Sequence, residues 1–270
     1  MKKAYILYKK EDAQKNGVLI ERYLGALDAH GFRPSLVLLD GLSRDELILL
    51  VSDGELIINR SREAGLMRFL EENGLRVSNP SFVNETANDK YLTWERLHGA
   101  VPMLDTRLLS ESASLPFPFV AKPAGGHGGN GVTLIKNEAD LAAYKASHRE
   151  KSVIQPVASE LGRDMRVYVV GGKPVAAMLR ESKTDFRSNF SLGGTARFIP
   201  LDELRTDETE LVETVCEALP LDYAGVDVMH DNGRAILNEI EDPVGARMLY
   251  IYTDIDPAKK HVDHLISKEN

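Results

Sequence analysis

Residues 122–131 have the sequence KPAGGHGGNG, and an apolar run stands on each side of this segment. Five of the seven residues from 125 to 131 are glycine, so most backbone N–H groups here have no side chain to cover them. Uncovered N–H groups of this kind can surround phosphate oxygens. With Lys122 at its start, the segment predicts a flexible flap between two antiparallel strands that binds a nucleoside triphosphate. A long glycine-rich hairpin without a ligand is the alternative.

Two other phosphate-binding motifs do not fit this flap. Residues 126–131 match the spacing G-x-G-x-x-G, but the residues that follow, 132–135, predict a strand, whereas a dinucleotide-binding fingerprint must open a helix. Gly172-Lys173 does not form a P-loop, because Pro174 follows it and the upstream glycine is missing. The sequence therefore argues against both of these nucleotide-binding folds.

Three acidic residues lie in a predicted β-hairpin formed by residues 223–229 and 234–241. Asp227 interrupts an apolar strand, which is unfavourable unless the carboxylate has a partner. Glu239 and Glu241 are two residues apart in a strand and therefore point to the same face. Three carboxylates held by one sheet suit a hard cation, so we predict that these residues bind Mg²⁺, with Mn²⁺ as an alternative. An edge hairpin with solvated acids explains the two glutamates but not Asp227.

The turn of this hairpin tests the predicted metal site. A two-residue turn at 232–233 pairs Asp227 with Asn238 and places Asp227 away from Glu239. A three-residue loop at 231–233 places Asp227 on the same face as Glu239. The metal site therefore predicts the three-residue loop, barring a β-bulge.

The rest of the chain shows two kinds of pattern. Up to about residue 88, short apolar strands alternate with helices, which predicts a parallel sheet in an α/β domain. The strands are predicted at 4–8, 34–39, 55–59 and 75–78, and the helices at 18–29, after the capping residue Ser43, at 61–73 and at 84–98. From Phe117 onward, closely spaced strands and a single clear helix at 206–219 predict antiparallel pairing in an α+β domain.

Composition excludes several classes of protein. The 270 residues are 43% hydrophobic and 27% charged, which is ordinary for a globular protein, and the net charge is −8. No apolar run approaches the roughly 18 residues of a membrane span, no signal-peptide core is recognised, and scattered basic residues argue against nucleic-acid binding. The single cysteine, Cys216, fits a reducing compartment. We expect a cytoplasmic enzyme or binding protein that contacts neither membrane nor nucleic acid.

Several motifs together resemble those of the ATP-grasp carboxylate–amine ligases, especially the group of the ribosomal-protein glutamate ligase (RimK-like) and the lysine-biosynthesis (LysX-like) enzymes. The resemblance runs from about Leu56 to Glu241. It is carried by Asp89-Lys90, Val120-Ala121-Lys122-Pro123, Asp164-Met165-Arg166, Asp185-Phe186-Arg187-Ser188-Asn189 with Gly193-Gly194, Ala224-Gly225-Val226-Asp227 and the twelve-residue step from Asp227 to Glu239. The family usually has asparagine where this chain has Glu241, which adds a negative charge beside the nucleotide.

The resemblance implies a nucleotide held between two antiparallel sheets. It divides the chain into a pre-ATP-grasp domain (1–88), a central ATP-grasp subdomain with the flap (89–155) and a C-terminal subdomain with the metal site (156–270). The residues implied to bind ATP are Lys90, Lys122, Gly126, Gly128, Gly129, Gln155, Pro156, Val157, Asp164, Arg187, Ser188 and Asn189. Asp164 would accept a hydrogen bond from the ribose, and residues 155–157 would lie along the adenine.

The implied reaction is an attack of a carboxylate on the γ-phosphate of ATP, followed by an attack of an amine on the acyl phosphate. Such chemistry needs positioning and charge neutralisation, which we expect from Lys122, Arg187 and Arg180. Arg60, after the end of a strand, and Arg247 are expected to bind a substrate carboxylate. The expected substrates are amino acids or peptides, including the C-terminus of a protein, and the family often forms homo-oligomers.

Two other functions remain open from the sequence. A kinase on the same scaffold would stop after phosphoryl transfer to a small molecule. A non-catalytic protein would bind ATP and transfer nothing. Release of ADP that requires both an acid and an amine separates the ligase from these alternatives.

Overall fold

The computed structural model describes residues 1–110, 115–182 and 194–268 of the chain. The first sheet contains β1 (Lys2–Tyr8), β2 (Phe32–Leu38), β3 (Leu56–Asn59) and β4 (Val77–Ser78). All neighbouring strands are parallel, and their order is β2-β1-β3-β4. The parallel sheet predicted for this part of the chain is confirmed.

Helices cover both faces of the first sheet. They are α1 (Lys10–Lys15), α2 (Gly17–Ala29), α3 (Arg44–Val51), α4 (Ala64–Glu72) and, from the other end of the chain, α10 (Pro257–Ser267). Side chains alternate along β1, so that Ile6 packs beneath α2 and α10 whereas Leu7 packs beneath α3 and α4. No described helix is long and apolar enough to cross a membrane.

The second sheet is antiparallel and has five strands. They are β9 (Arg163–Val170), β10 (Lys173–Glu181), β11 (Thr195–Ile199), β12 (Tyr223–Asp231) and β13 (Arg234–Glu241), in the order β11-β10-β9-β12-β13. One face is apolar, since Met165 and Val167 of β9 join a core with α5 (Ser81–Ala87), α6 (Lys90–Leu97) and α8 (Thr206–Ala218). The alternate residues, such as Asp164 and Arg166, point to the opposite, polar face.

The segment that predicted one helix over 84–98 forms two helices, α5 and α6. Asp89 adopts an extended conformation between them, and its carboxylate accepts hydrogen bonds from the backbone N–H groups of Tyr91 and Leu92. Because this cap starts a new helix, the two helices pack at different positions on the apolar face of the second sheet.

The third sheet is small and also antiparallel. It contains β5 (Arg107–Leu108), β6 (Phe119–Pro123), β7 (Thr133–Ile135) and β8 (Ser152–Pro156), in the order β5-β8-β6-β7. Phe119 and Ala121 pack in a core with Tyr144 of α7 (Glu138–Ser147), so Lys122 points to the other face. The glycine flap joins β6 to β7, which confirms the predicted antiparallel strands on either side of the flap and the predicted pair of antiparallel sheets.

The β12–β13 hairpin has a two-residue turn, so the predicted three-residue loop is wrong. Asp231 pairs with Arg234, and both turn residues have positive φ, 50° at Asn232 and 75° at Gly233. A bulge at Asn238 then shifts the register by one residue, because Val228 pairs with Leu237 whereas Asp227 pairs with Glu239. The bulge returns Asp227, Glu239 and Glu241 to one face, which the turn alone would not do.

The domain boundaries after residues 88 and 155 remain predictions, and packing crosses the first of them. Val83 and Ala87, on the N-terminal side of that boundary, belong to the core of the second sheet. Val262 and Leu265 of α10 belong to the core of the first sheet. The core of the second sheet therefore includes a segment that precedes the first predicted boundary, and only the core of the first sheet combines segments from near both ends of the chain.

We expect Gly233→Ala to lower the free energy of unfolding by about 1–2 kcal/mol, because alanine is unfavourable at positive φ. Gly25→Ala in α2 is a matched control, since a Cβ at either position would meet open space. The control should raise stability by up to about 1 kcal/mol through helix propensity. Urea unfolding measures both values, and equal stabilities for the two variants would contradict the turn assignment.

Candidate active site

Two cavities open on the polar face of the second sheet. The first lies between this face and the third sheet, and its empty volume, including space open to solvent, is about 830 Å³. Most residues predicted to bind a nucleotide line it, namely Lys90, Lys122, Gly126, Gly129, Gln155, Pro156 and Asp164. Val157, which follows the end of β8, is not part of the described wall. Glu239 stands in the wall as well.

The second cavity lies between the same polar face and the end of the first sheet, with an empty volume of about 1,140 Å³. Arg60 and Arg247, predicted to bind substrate, line it together with Arg180, Glu241 and, from the flap, Gly128. Gly128, also predicted to bind the nucleotide, lines this second cavity and not the first. Because Glu239 lines both cavities, the two spaces adjoin at β13.

Two lysines stand at the wall of the first cavity. The Nζ of Lys122 lies 3.5 Å from Oδ1 of Asn238, the residue at the bulge. Burial and the nearby charge of Lys90 lower the pKa of Lys122 to about 8, although Glu239 opposes the shift. Lys90 donates to the carbonyl of Gly126 in the flap, and its Nζ is 3.4 Å from Oε2 of Glu239. Both lysines are therefore close to an acidic residue and to the flap.

A chain of five charged side chains crosses the polar face of the second sheet. Arg180 binds Asp164 through two hydrogen bonds, Nε–Oδ1 at 2.7 Å and Nη2–Oδ2 at 2.5 Å. Arg166 binds Asp227 in the same way, with both distances 2.7 Å. Nη2 of Arg180 also donates to Asp227 at 2.7 Å, and Arg166 forms an ion pair with Glu241. The two arginines and Asp227 form the centre of this chain.

The partner that Asp227 needs inside an apolar strand is therefore a pair of arginines. Asp227 has no exposed surface, and burial alone would raise its pKa. The two guanidinium groups outweigh burial and lower the pKa of Asp227 to about 2. Asp164, bound to Arg180 alone, has a pKa that burial raises. Asp227 is thus a permanent anion at physiological pH.

The carboxylates fit a hard cation in part. Glu239 and Glu241 have side chains that are 22% and 24% exposed at the junction of the cavities. Asp227 accepts three hydrogen bonds from arginines, which leaves about one of its roughly four lone-pair positions, on Oδ1. Among the described residues, no group of three possible ligands is gathered around one point. The two glutamates could hold an ion directly, and Asp227 could add only that remaining lone pair.

Arg60 is buried at the edge of the second cavity and has an unusual environment. It donates to the hydroxyl of Tyr8 at 3.4 Å and to the carbonyl of Val244. Its guanidinium carbon lies 5.1 Å from the ring centre of Tyr223 and 6.0 Å from that of Tyr23. Aromatic faces and neutral acceptors stabilise the cation without cancelling its charge, so Arg60 remains attractive to an anion.

Two residues predicted to bind the nucleotide already form hydrogen bonds with other side chains of the protein. The amide nitrogen of Gln155 donates to Oγ1 of Thr106 at 2.7 Å. Asp164 is paired with Arg180, but its two remaining lone pairs could still accept hydrogen bonds from a ribose. The predicted residues Arg187, Ser188 and Asn189 lie outside the described part of the chain.

Several cavity residues were given no role from the sequence. Arg166 belongs to the motif Asp164-Met165-Arg166. Like Asp227, it is a charged residue in an otherwise apolar strand, and this feature could have identified it as part of the site. Arg62 also lines the second cavity, as do Asp12 and Lys15 of α1. Helix α1 is short and has no buried residue, so its sequence lacks the apolar periodicity that reveals a helix.

Comparisons with known proteins identify the fold. D-alanine–D-alanine ligase from Bacillus anthracis, solved in complex with ATP, superimposes with a TM-score of 0.75 at 17% identity, covering 99% of this chain and 97% of that one. Protein MG011 of Mycoplasma genitalium, itself uncharacterised, is 26% identical over 99% of this chain and 93% of its own length. Human beta-citrylglutamate synthase B is 35% identical over 67% of this chain and 50% of its own length.

Three sheets in this arrangement, with a glycine flap over a cavity between two of them, are the architecture of the ATP-grasp fold. A model of the RimK-like ATP-grasp domain matches residues 100–265, and the chain belongs to that family. It is an ATP-dependent ligase that joins a carboxylate to an amine with a new carbon–nitrogen bond. The resemblance, the fold class and the enzyme class predicted from the sequence are all confirmed.

We expect Mg-ATP binding at pH 8 to take up as much as roughly half a proton, because the triphosphate should raise the pKa of Lys122, which stands at about 8. At pH 6 this lysine is already charged and should contribute almost no uptake. Calorimetry in buffers of different ionisation enthalpy counts the protons. Lys122→Met is the control and should abolish the uptake at pH 8; an uptake equal to that of the wild type would disprove the assignment to Lys122.

Proposed function

We propose that the first cavity binds Mg-ATP and that the second binds the carboxylic acid and the amine. The observation that carries this proposal is the position of Glu239, which lines both cavities with Lys90 on one side of it. A phosphoryl group held there would lie between the nucleotide and the acid. The flap supports the same arrangement, since Gly126 faces the first cavity and Gly128 the second.

We propose that Mg²⁺, or Mn²⁺ in its place, is held by Glu239 and Glu241 with the remaining lone pair of Asp227. When bound, such an ion would supply positive charge that neutralises the negative charge developing during phosphoryl transfer. Glu241 would give the site one more negative charge than the asparagine usual in this family. Glu241 already forms an ion pair with Arg166, and the positive charge of Arg166 limits the repulsion between Glu241 and the triphosphate.

The protein residues would act by position and charge. Lys90 and Lys122 would neutralise phosphate oxygens, and the flap would exclude water that could hydrolyse a reactive intermediate. Arg180, whose guanidinium stands at the second cavity, would stabilise the negative charge of the tetrahedral intermediate. Arg187, Ser188 and Asn189 remain predicted ligands of the triphosphate.

The proposed reaction has two steps. A carboxylate oxygen of the acid attacks the γ-phosphorus, the bond to the β-phosphate oxygen breaks, and ADP leaves. The amine nitrogen then attacks the carbonyl carbon of the acyl phosphate, inorganic phosphate leaves, and the nitrogen loses a proton as the amide forms. Both steps require an anion at the second cavity, where basic residues predominate.

The charge of the second cavity supports an acidic substrate. Its wall contains six basic residues and three acidic ones: Lys15, Arg60, Arg62, Arg166, Arg180 and Arg247 against Asp12, Glu239 and Glu241. We propose an amino acid or peptide that carries at least one carboxylate, including the C-terminus of a protein, bound through Arg60 and Arg247. The chain spans half the length of the human synthase it matches, so that relative's name suggests candidate substrates only.

A screen of ADP release tests the function. Purified protein with Mg-ATP would receive L-glutamate, citrate or N-acetylaspartate as the acid, and L-glutamate or a dipeptide as the amine, singly and in pairs. A ligase releases ADP in proportion to amide product and needs both partners. ADP release and a phosphorylated product with one partner alone would indicate a kinase, and nucleotide binding without any turnover would indicate a binding protein.

We expect Lys122→Ala and Asp227→Asn each to lower kcat by at least ~100-fold. Lys122→Ala removes a positive charge beside the phosphoryl group, and Asp227→Asn removes the negative charge that holds Arg166 and Arg180 in position. Lys173→Ala is a matched control, since this lysine is exposed at the start of β10, remote in sequence from the flap. The control should retain wild-type kcat in the same coupled assay. Near-normal turnover of Lys122→Ala would refute the proposed role of the first cavity.

A further inference from the structure

Three tyrosines bury a hydroxyl that has no hydrogen-bond partner among the described residues, namely Tyr168, Tyr223 and Tyr250. A buried hydroxyl without a partner is unfavourable, because it has lost its hydrogen bonds with water and gained none in return. Tyr168 differs from the other two because it lines the second cavity, whereas Tyr223 and Tyr250 line neither the first cavity nor the second. A molecule bound in the second cavity can therefore supply the missing partner.

Tyr168 stands between two small residues on the polar face of the second sheet. It pairs with Ala176 of β10 on one side and with Gly225 of β12 on the other. Because residues directly opposite each other on antiparallel strands share a face, the two positions facing Tyr168 carry only a methyl group and a hydrogen atom. A Cβ on Gly225 would lie 2.9 Å from Cγ2 of Val244, so this position must stay small. The paired positions on these two described strands thus offer the hydroxyl no polar side chain.

The place of Tyr168 along β9 is midway between two parts of the proposed site. Arg166, two residues earlier on the same face and about 6.6 Å away, lies toward the junction of the two cavities. Two residues further on, Val170 pairs with Tyr223. The ring of Tyr223 lies 5.1 Å from the guanidinium carbon of Arg60. Tyr168 therefore stands between the place proposed for the phosphoryl group and an arginine proposed for the acid.

We propose that Tyr168 is a specificity-determining residue whose hydroxyl donates a hydrogen bond to the reacting carboxylate of the acid, at the oxygen that becomes the carbonyl oxygen of the amide. This inference rests on the proposed function, because it places the acid in the second cavity. The excess of basic over acidic residues in the wall favours an anionic acceptor over a cation. Burial raises the pKa of Tyr168 to about 12, so the hydroxyl keeps the proton that it donates.

A single donor suits a carboxylate that has to react. One carboxylate oxygen attacks the γ-phosphorus and needs a free lone pair, whereas the other oxygen stays in the product. A guanidinium that binds both oxygens would hold the attacking oxygen as well. A phenol has one proton, so it orients one oxygen and leaves the other free to attack.

Hydroxylamine makes the test independent of the natural amine, because it attacks acyl phosphates and forms a hydroxamate that ferric iron colours. Purified protein would receive Mg-ATP, hydroxylamine and one acid, which is citrate, N-acetylaspartate or L-glutamate. Wild type would be compared with Tyr168→Phe, which removes only the hydroxyl. We expect kcat/KM for the reacting acid to fall at least ~10-fold, as for the loss of a hydrogen bond to a charged group. The KM for ATP should change by less than about twofold.

Tyr250→Phe is the matched control. It removes a buried hydroxyl that also has no described partner but that lines neither cavity. This variant should keep the kcat/KM of the wild type, and neither variant should melt at a lower temperature, because neither loses a described hydrogen bond. A lower melting temperature of Tyr168→Phe, or an equal kinetic loss in Tyr250→Phe, would indicate a structural effect and overturn the proposal.

The kinetic outcomes separate the role of Tyr168 from the proposed function. Hydroxamate formation by Tyr168→Phe at the kcat/KM of the wild type would overturn the role of Tyr168 and leave the ligase function intact. A rise in the KM for ATP as large as the loss for the acid would place the hydroxyl at the nucleotide, and the proposal would fail.

Binding of the same acids to the Mg-ADP complex, measured by calorimetry, decides the case in which the wild type forms no hydroxamate. An acid that binds Tyr168→Phe at least ~10-fold more weakly than the wild type would retain the contact and remove the ligase function. An acid that binds both proteins equally well would overturn the contact. Wild-type protein that neither binds nor converts any of the three acids would overturn both proposals.

Discussion

The shared ion pair of Asp227 with Arg166 and Arg180 is the interaction on which the polar face of the second sheet depends. Three largely buried charges are stable only if each has partners with good geometry, and an unmatched member would cost several kcal/mol. The bidentate contacts meet this condition without using every donor of the two arginines.

The alternation of side chains gives the second sheet two different faces. On β9, Met165 and Val167 belong to the apolar core with α5, α6 and α8, whereas Asp164 and Arg166 on the other face belong to the chain of charges, and Tyr168 on that face joins a second apolar cluster. On β13, both Leu237 and Ile240 belong to that core although they are three residues apart, which a regular strand does not allow. The bulge at Asn238 resolves the conflict, and it also places Asn238 within reach of Lys122. The bulge at Asn238 thus lets β13 contribute both to the apolar core and to the walls of the two cavities.

The sequence predicted the features that have a local signature. The glycine content predicted the flap, and the alternation of strands and helices predicted the parallel sheet. The carboxylate of Asp227 in an apolar strand predicted that this residue has a charged partner. The arginine partners of Asp227 could not be predicted, because they depend on the order and register of β10, β9 and β12, which no single strand's sequence determines. The ion pair of Asp164 with Arg180 was missed for the same reason, and the predicted contact of Asp164 with a ribose remains a prediction. The homo-oligomer and the cytoplasmic location remain predictions.

Helix α10 has a consequence for how the protein forms in the cell. Its residues Val262 and Leu265 complete the core of a sheet whose first strand begins at Lys2. During synthesis on a ribosome, that sheet emerges first, but the part of its apolar face beside α2 stays uncovered until the last described helix has been translated. Apolar side chains of the first sheet would therefore stay exposed for nearly the whole time of elongation, and a chaperone could cover them during that time.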